Sequence, residues 1–423
     1  MSQSTHTGVD RHSLPSRFVN GERLWLRLQE QARHGATPGG GLNRLAFSPA
    51  DQAARRYLID LAKSSGLAVS GDAAGNLFCR LEGADTGAKP VLAGSYLDSQ
   101  PSGGKYAGSF GIVAGLEALN AIARMPNKPV QPIVLAVWSN GEGSRFVPGY
   151  MGSEAFVGQL SIAGMMAVQD AEGQTVADAL GAVLANETDV PRCPLGFGCS
   201  AYLEAHLEQG TVLEQNQCQI GVVTGMQGIR RCQVRVFGEA AHIATTPRRR
   251  RRDALHAAIR IISALDDFYS APDIGFAVGR LQVEPNAPSI VPREVTFSVD
   301  IRHREANVLI RLGDTIRLVC ESEKGPCTFA VTEVMHQPPI LLAPEICAHV
   351  TEAAERLALA SMPMLSMTGH DARSLATLCP SGIVFIPCRD GISHSEAEAI
   401  EPEGALAGAQ VLTDVLWALA NAS

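Results

Sequence analysis

The chain has 423 residues, 46% hydrophobic and 18% charged, with 41 Gly, 24 Pro and a formal net charge of -8. That length exceeds one compact core and suggests two domains, and the composition is that of a folded, loop-rich α/β protein, not a disordered one. The acidic balance argues against a general nucleic-acid binder. The longest apolar run, Ile133–Trp138, is too short to span a bilayer, and the polar stretch Met1–Phe18 has no signal-peptide core. The ten cysteines are scattered without a CxxC pair, which fits thiols packed in a reducing, cytoplasmic setting.

Residues 1–18 read as a loose arm. Asn20 reads as an N-cap, with Leu24 and Leu28 at helical spacing behind it. Ser48-Pro49 opens a second helix that carries Leu58 and Leu61 and stops near Gly66. Val91–Ala93 and Ile133–Trp138 read as buried strands of a mainly parallel sheet, with a helix over Gly111–Met125 between them. The pattern then changes. Strands are expected at Cys232–Phe237, Ile274–Val283, Glu294–Ile301 and Thr328–Val334, with helices at Arg251–Phe268 and Glu305–Ser322. That βαββαβ order is the split βαβ, ferredoxin-like unit. The expected division is an α/β part over 1–212, this insert over 213–334, and a return to α/β over 335–423, with a strand at Ile383–Pro387 and a closing helix at Leu412–Ala420. The run Arg248–Arg252 is most simply a solvated helix start.

Polar segments follow several of the buried strands, where α/β sheets bind ligands. They are Gly94-Ser95-Tyr96-Leu97-Asp98, Ser139-Asn140-Gly141-Glu142, and Glu204-Ala205-His206-Leu207-Glu208-Gln209-Gly210. Further along come Glu239-Ala240-Ala241-His242 with Thr245-Thr246-Pro247, Ser298-Val299-Asp300-Ile301-Arg302, Thr368-Gly369-His370-Asp371 and Gly391-Ile392-Ser393-His394-Ser395.

Taken together, HLEQG, EAAH…TTP, SVDIR and GISHS resemble the N-carbamoyl-L-amino-acid hydrolase, β-ureidopropionase and allantoate amidohydrolase group of the M20 superfamily, over about residues 20–420. The resemblance implies a split catalytic α/β domain with an inserted ferredoxin-like lid that also forms a homodimer. It implies a water activated between two divalent ions roughly 3.5–4 Å apart. Of the implied ligands, His206, His394 and Glu142 are present. The histidine of the first segment is Tyr96, the bridging aspartate is Ala107 and the general-base glutamate is Gly141. Each ion would keep one or two ligands where a stable site needs three or more, so the expectation is no resident metal. The variant is a single Zn or Mn ion on Glu142, His206 and His394.

The binding half is better kept. The resemblance makes Arg302 the clamp on a substrate carboxylate, a task that suits a planar guanidinium. It has His242 cross from a partner subunit to polarise the scissile carbonyl, and it places Gln209, Asn286 and His394 in the pocket. Ser289 and Ile243 depart from the pattern. Plainer readings stand beside these: Arg302 as a surface ion-pair residue, Glu142 and His206 as hydrogen-bonded relics, Tyr96 as a filler of vacated space. The remaining acid–base candidates are Glu142, His206, Asp98, Tyr96 and His242. The first expectation is an enzyme acting on a small carboxylated amide, N-carbamoyl or ureido compound without the two-metal water. The alternative is a non-catalytic pseudoenzyme that binds a small carboxylate. An ordinary metallo-amidohydrolase with unseen ligands comes third.

Overall fold

A computed structural model describes residues 14–422. It separates into two compact units: one reaching Thr224 and resuming at Leu342, the other Gly225–Leu341. The sequence suggested 213–334 for the insert. The strand Ile220–Met226 accounts for the difference at its start, because Val222 and Val223 pair with Val384 and Ile383 in the larger sheet. At the far end, Thr328–Gln337 runs three residues past the expected strand end.

The sheet of the first unit runs in the order 68–71, 77–81, 133–138, 91–96, 201–207, 381–386, 220–226. It is mixed rather than mainly parallel. Strands 91–96, 133–138, 201–207 and 381–386 are parallel neighbours, while the flanking strands run antiparallel. One flank is a hairpin the sequence did not reveal. Asp72 Oδ1 accepts from Ala74 N and Asn76 N, which tightens the turn between Ala68–Gly71 and Leu77–Leu81, and so short a connection permits only antiparallel pairing.

Two helix starts with local caps fall where the sequence put them. Asn20 accepts from Arg23 N at 2.8 Å ahead of Gly21–Arg33, and Ser48 accepts from Asp51 N ahead of Pro49–Ser64. Starts without a local cap moved. The helix expected over Gly111–Met125 spans Ala107–Ile122, because the distant Glu398 carboxylate accepts from Tyr106 N and Ala107 N at its first turn. The closing helix spans Pro402–Ala420; its Ala- and Gly-rich start is buried on several sides and shows no amphipathic period. Of the expected loose arm, residues 1–13 lie outside the described residues. Pro15–Phe18 is instead a 3-10 turn, tied down where Ser16 N and Oγ donate to Asp414.

In the second unit an antiparallel sheet runs in the order 281–284, 294–303, 228–237, 328–337, with 275–277 also on 294–303. The single strand expected over Ile274–Val283 is two short ones. Ala277 pairs with Asp300 but Leu281 with Phe297, an offset of one residue that breaks the ladder between them. The helices Ala254–Phe268 and Ala306–Glu323 cover one face, burying Val234, Val236, Phe297, Val299 and Ile301 against Ile261, Leu265 and Ile316. Alternation along Glu294–His303 leaves Ser298, Asp300 and Arg302 on the opposite face. Asp253 caps the first of these helices, so the Arg248–Arg250 run is an exposed 3-10 turn before it, not its first turn. No helix among the described residues is long and apolar enough to cross a membrane.

Phe297 is fully buried at the middle of this packing. Phe297→Ala is expected to destabilise the protein by about 3–5 kcal/mol, read as a lower midpoint in urea at unchanged slope.

Candidate active site

Strands 91–96, 133–138 and 201–207 end beside one another, with Tyr96 in register with Trp138 and Gly94 with Glu204. Their carboxyl ends deliver Tyr96, the Leu97–Gln100 and Ser139–Glu142 loops, and His206. Tyr96 Oη lies 3.1 Å from His206 Nε2, and His206 Nδ1 lies 2.9 Å from the Leu207 carbonyl. The carbonyl can only accept, so Nδ1 carries the imidazole proton and Nε2 accepts from the phenol. Both groups are held neutral. Burial, then the neighbouring His370, drops the His206 pKa to about 3. Burial, with Glu142 next, raises the Tyr96 phenol well above its ordinary value.

This arrangement does not fit two metal ions. The nitrogen that would ligate from His206 is taken up by Tyr96. The tyrosine ring covers the neighbouring backbone so closely that a Cβ on Gly141 would meet Tyr96 Cγ at 2.4 Å. A glutamate at 141 therefore has no room, and Ala107 offers no donor. Among the described residues, no group of three or more His, Cys, Asp or Glu side chains is placed to hold an ion. Glu142 and His394 do approach, at 3.6 Å, but His206 is turned to Tyr96, so the three do not form the one-ion set considered from sequence.

The other expected residues of this unit are placed as follows. The Asp98 carboxyl group accepts from Gly141 N at 2.9 Å and Glu142 N at 3.0 Å, pinning the loop that presents Glu142. Burial, followed by the charges of Asp51 and Glu142, raises its pKa to about 8 against these two hydrogen bonds. The Glu142 side chain is largely buried and accepts from Gln100 Nε2 at 2.8 Å. Gln209 bridges segments: its amide nitrogen donates to Ser393 Oγ at 2.8 Å, and its oxygen accepts from Thr368 Oγ1 at 3.1 Å. Ser393 in turn donates to Glu398, the helix cap described above.

Three contributors were given no role from sequence: Gln100, Glu398 and Glu204. Glu204 had a usable signal, since it sits two residues before His206 on one strand and shares its face. Its carboxylate lies 3.3 Å from His370 Nδ1, and His370 packs edge-on against His206 with ring centres 4.7 Å apart.

In the second unit, Arg302 projects from the open face of the sheet. Its Nε donates to Asp300 Oδ1 at 3.0 Å, and Arg231 holds the other oxygen of that carboxylate at 2.6 Å. These three line a cavity of about 700 Å³ with Arg280, Ser298 and Phe276. Two guanidinium groups share one carboxylate there, which leaves the cluster net positive and suited to a carboxylate ligand. His242 is exposed. Its Nδ1 accepts from Ala244 N at 3.1 Å, which puts the ring proton on Nε2 as an outward donor. Asn286 is exposed on the loop before Ile290–Val291, and those two residues pair with Ala241 and His242.

A mixed α/β architecture with acid–base side chains gathered at strand carboxyl ends marks the place where such folds bind ligands. Residues 98–418 match peptidase family M20/M25/M40. The chain is 35% identical to an N-carbamoyl-L-amino-acid amidohydrolase of Rhizobium meliloti over 94% of its own length and 96% of the relative's. It is 33% identical to the allantoate amidohydrolase of Escherichia coli over 91% and 95%. Among solved structures, a hydantoinase/carbamoylase family amidase from Burkholderia multivorans superposes with a TM-score of 0.86 at 37% identity, covering 96% of this chain and 100% of that one. The chain belongs to the M20/M25/M40 peptidase family and sits among its carbamoylase-type amidohydrolases.

Two outcomes follow from the geometry. Gly141→Glu alone is expected to cost about 2 kcal/mol or more, because the new side chain meets the Tyr96 ring, and combined with Tyr96→His it should cost much less. Additive costs in a double-mutant cycle would contradict the contact. Asp98 carries its proton to about pH 8 in the folded chain, against an ordinary value of 3.8. Between those values the unfolded chain binds fewer protons, so this group makes stability fall as pH rises from about 4 to about 8. Asp98→Asn should flatten that slope in denaturation midpoints measured across the window.

Proposed function

We propose that this protein hydrolyses a C–N bond in a small carboxylated N-carbamoyl or ureido compound, using its own side chains instead of a two-metal water. The observation that carries the reading is that an amidohydrolase frame matched over nearly the whole chain has its ligating His206 nitrogen satisfied by a phenol. In this reading Arg302, steadied by Asp300, clamps the carboxylate. Glu142, Asp98, Tyr96, His206, Gln209 and His394 provide the acid–base and positioning groups of the first unit. His242 offers its Nε2 proton to the scissile carbonyl. The resemblance adds a cytoplasmic homodimer joined through the Gly225–Leu341 unit, with His242 serving the partner's site.

The test is turnover of N-carbamoyl-L-amino acids and allantoate by the full chain, with metal content measured alongside. Activity that persists after exhaustive chelation is the expected result. Arg302→Met should raise KM by roughly 10–100-fold, the loss of a charge-assisted bidentate contact. Two bound ions per chain with activity abolished by chelator would overturn the metal-free reading. Retained carboxylate binding with no turnover would favour a binding protein instead.

A further inference from the structure

We propose that Thr368 is a nucleophile, with His370 as its base and Glu204 as the carboxylate that orients His370, supplying the attack that the missing two-metal water would have made; this rests on the amidohydrolase reading above. Thr368 Oγ1 lies 3.1 Å from His370 Nε2, and His370 Nδ1 lies 3.3 Å from Glu204 Oε1. A hydroxyl, an imidazole and a carboxylate in line are the parts of a nucleophile–base–orienter set, recognised by geometry and not by sequence order.

The carboxylate beside Nδ1 and the hydroxyls beside Nε2 give the two sides of the imidazole different tasks. Glu204 and His370 are buried, and neither Glu204 Oε1 nor His370 Nδ1 makes a hydrogen bond, so their 3.3 Å approach is an ion-pair contact that falls short of hydrogen-bond geometry. The other oxygen, Glu204 Oε2, is held by Tyr202 Oη at 3.1 Å and Ala372 N at 3.0 Å. Oε1 is the carboxylate oxygen left facing the ring, and in the proposed set the neutral imidazole carries its proton on Nδ1 beside it, with Nε2 as the acceptor. Unliganded sites commonly show such contacts slightly long.

Two hydroxyls reach Nε2. Ser366 Oγ is at 2.9 Å, but it is fully buried and donates to the Thr368 carbonyl at 3.0 Å. Thr368 is only partly buried, and its hydroxyl proton has two acceptors at 3.1 Å, Gln209 Oε1 and His370 Nε2. Rotation about its C–O bond passes the proton from one to the other. The set also borders the site already described. His370 packs edge-on against His206, which accepts from Tyr96, and Gln209 ties Thr368 to the loop that carries His394.

The chemistry balances with water as the only co-reactant. Thr368 Oγ1 forms a bond to the carbonyl carbon as its proton passes to His370 Nε2. The tetrahedral adduct collapses, the C–N bond breaks, and His370 returns the proton to the leaving nitrogen. Water then attacks the carbonyl carbon of the ester or carbamate on Thr368. Its proton goes to His370 and on to Thr368 Oγ1 as that C–O bond breaks.

The experiment uses the full chain, treated with chelator and then with p-nitrophenyl acetate, followed by peptide mass analysis and the nitrophenolate burst. The expected result is acylation of the peptide containing Thr368. The burst should fall at least about 100-fold in the isosteric Thr368→Val and in His370→Gln, and persist in Thr368→Ser. An acyl group absent from that peptide, or a burst unchanged in Thr368→Val, overturns the proposal. N-carbamoyl turnover that survives Thr368→Val also overturns it while leaving the amidohydrolase reading intact. Acylation at Thr368 without turnover of any carbamoyl or ureido compound supports the nucleophile and sinks the substrate reading.

Discussion

The hydrogen bond between Tyr96 Oη and His206 Nε2 constrains everything around it. It uses the lone pair an ion would need, and it places an aromatic ring against Gly141 and Gly108 so closely that neither position accepts a side chain without movement. Both partners are neutral, so the pair needs no buried counter-charge. The carboxyl groups nearby serve the backbone: Asp98 binds the Gly141–Glu142 amides and Glu398 the first turn of the 107–122 helix.

The second unit solves a separate problem. One face of its sheet is spent on packing two helices, so strand alternation leaves Ser298, Asp300 and Arg302 on the other. Asp300 is shared by Arg302 and Arg231, which restrains both guanidinium groups while leaving excess positive charge in the cavity. Restraint of that kind lowers the side-chain entropy lost when a carboxylate binds.

How well each part could be read from sequence followed from how local its cause is. Ile133–Trp138 was read to the residue, because a buried strand is a continuous apolar run. Asn20 and Ser48 announced their helices through bonds three residues long. The start at Ala107 was missed because its cap, Glu398, lies 291 residues away. The broken strand at 278–280 was missed because a one-residue register offset leaves no trace in an apolar pattern. Within the site, Tyr96, Asp98, Glu142, His206 and Gln209 were named from their segments, while Gln100 and Glu204 matter only through partners distant in sequence.

By itself, then, the sequence determined the family, the α/β class and the presence of a second unit, because those depend on residue type and short-range order. Only the tertiary structure decided what each site residue faces. Tyr96 meets His206 across 110 residues, and Glu204 meets His370 across 166, through strand pairing that no local pattern encodes. Whether a histidine faces an ion, a phenol or a carboxylate depends on which atoms lie within about 3 Å of its ring nitrogens. Chain composition is silent on that, and packing settles it.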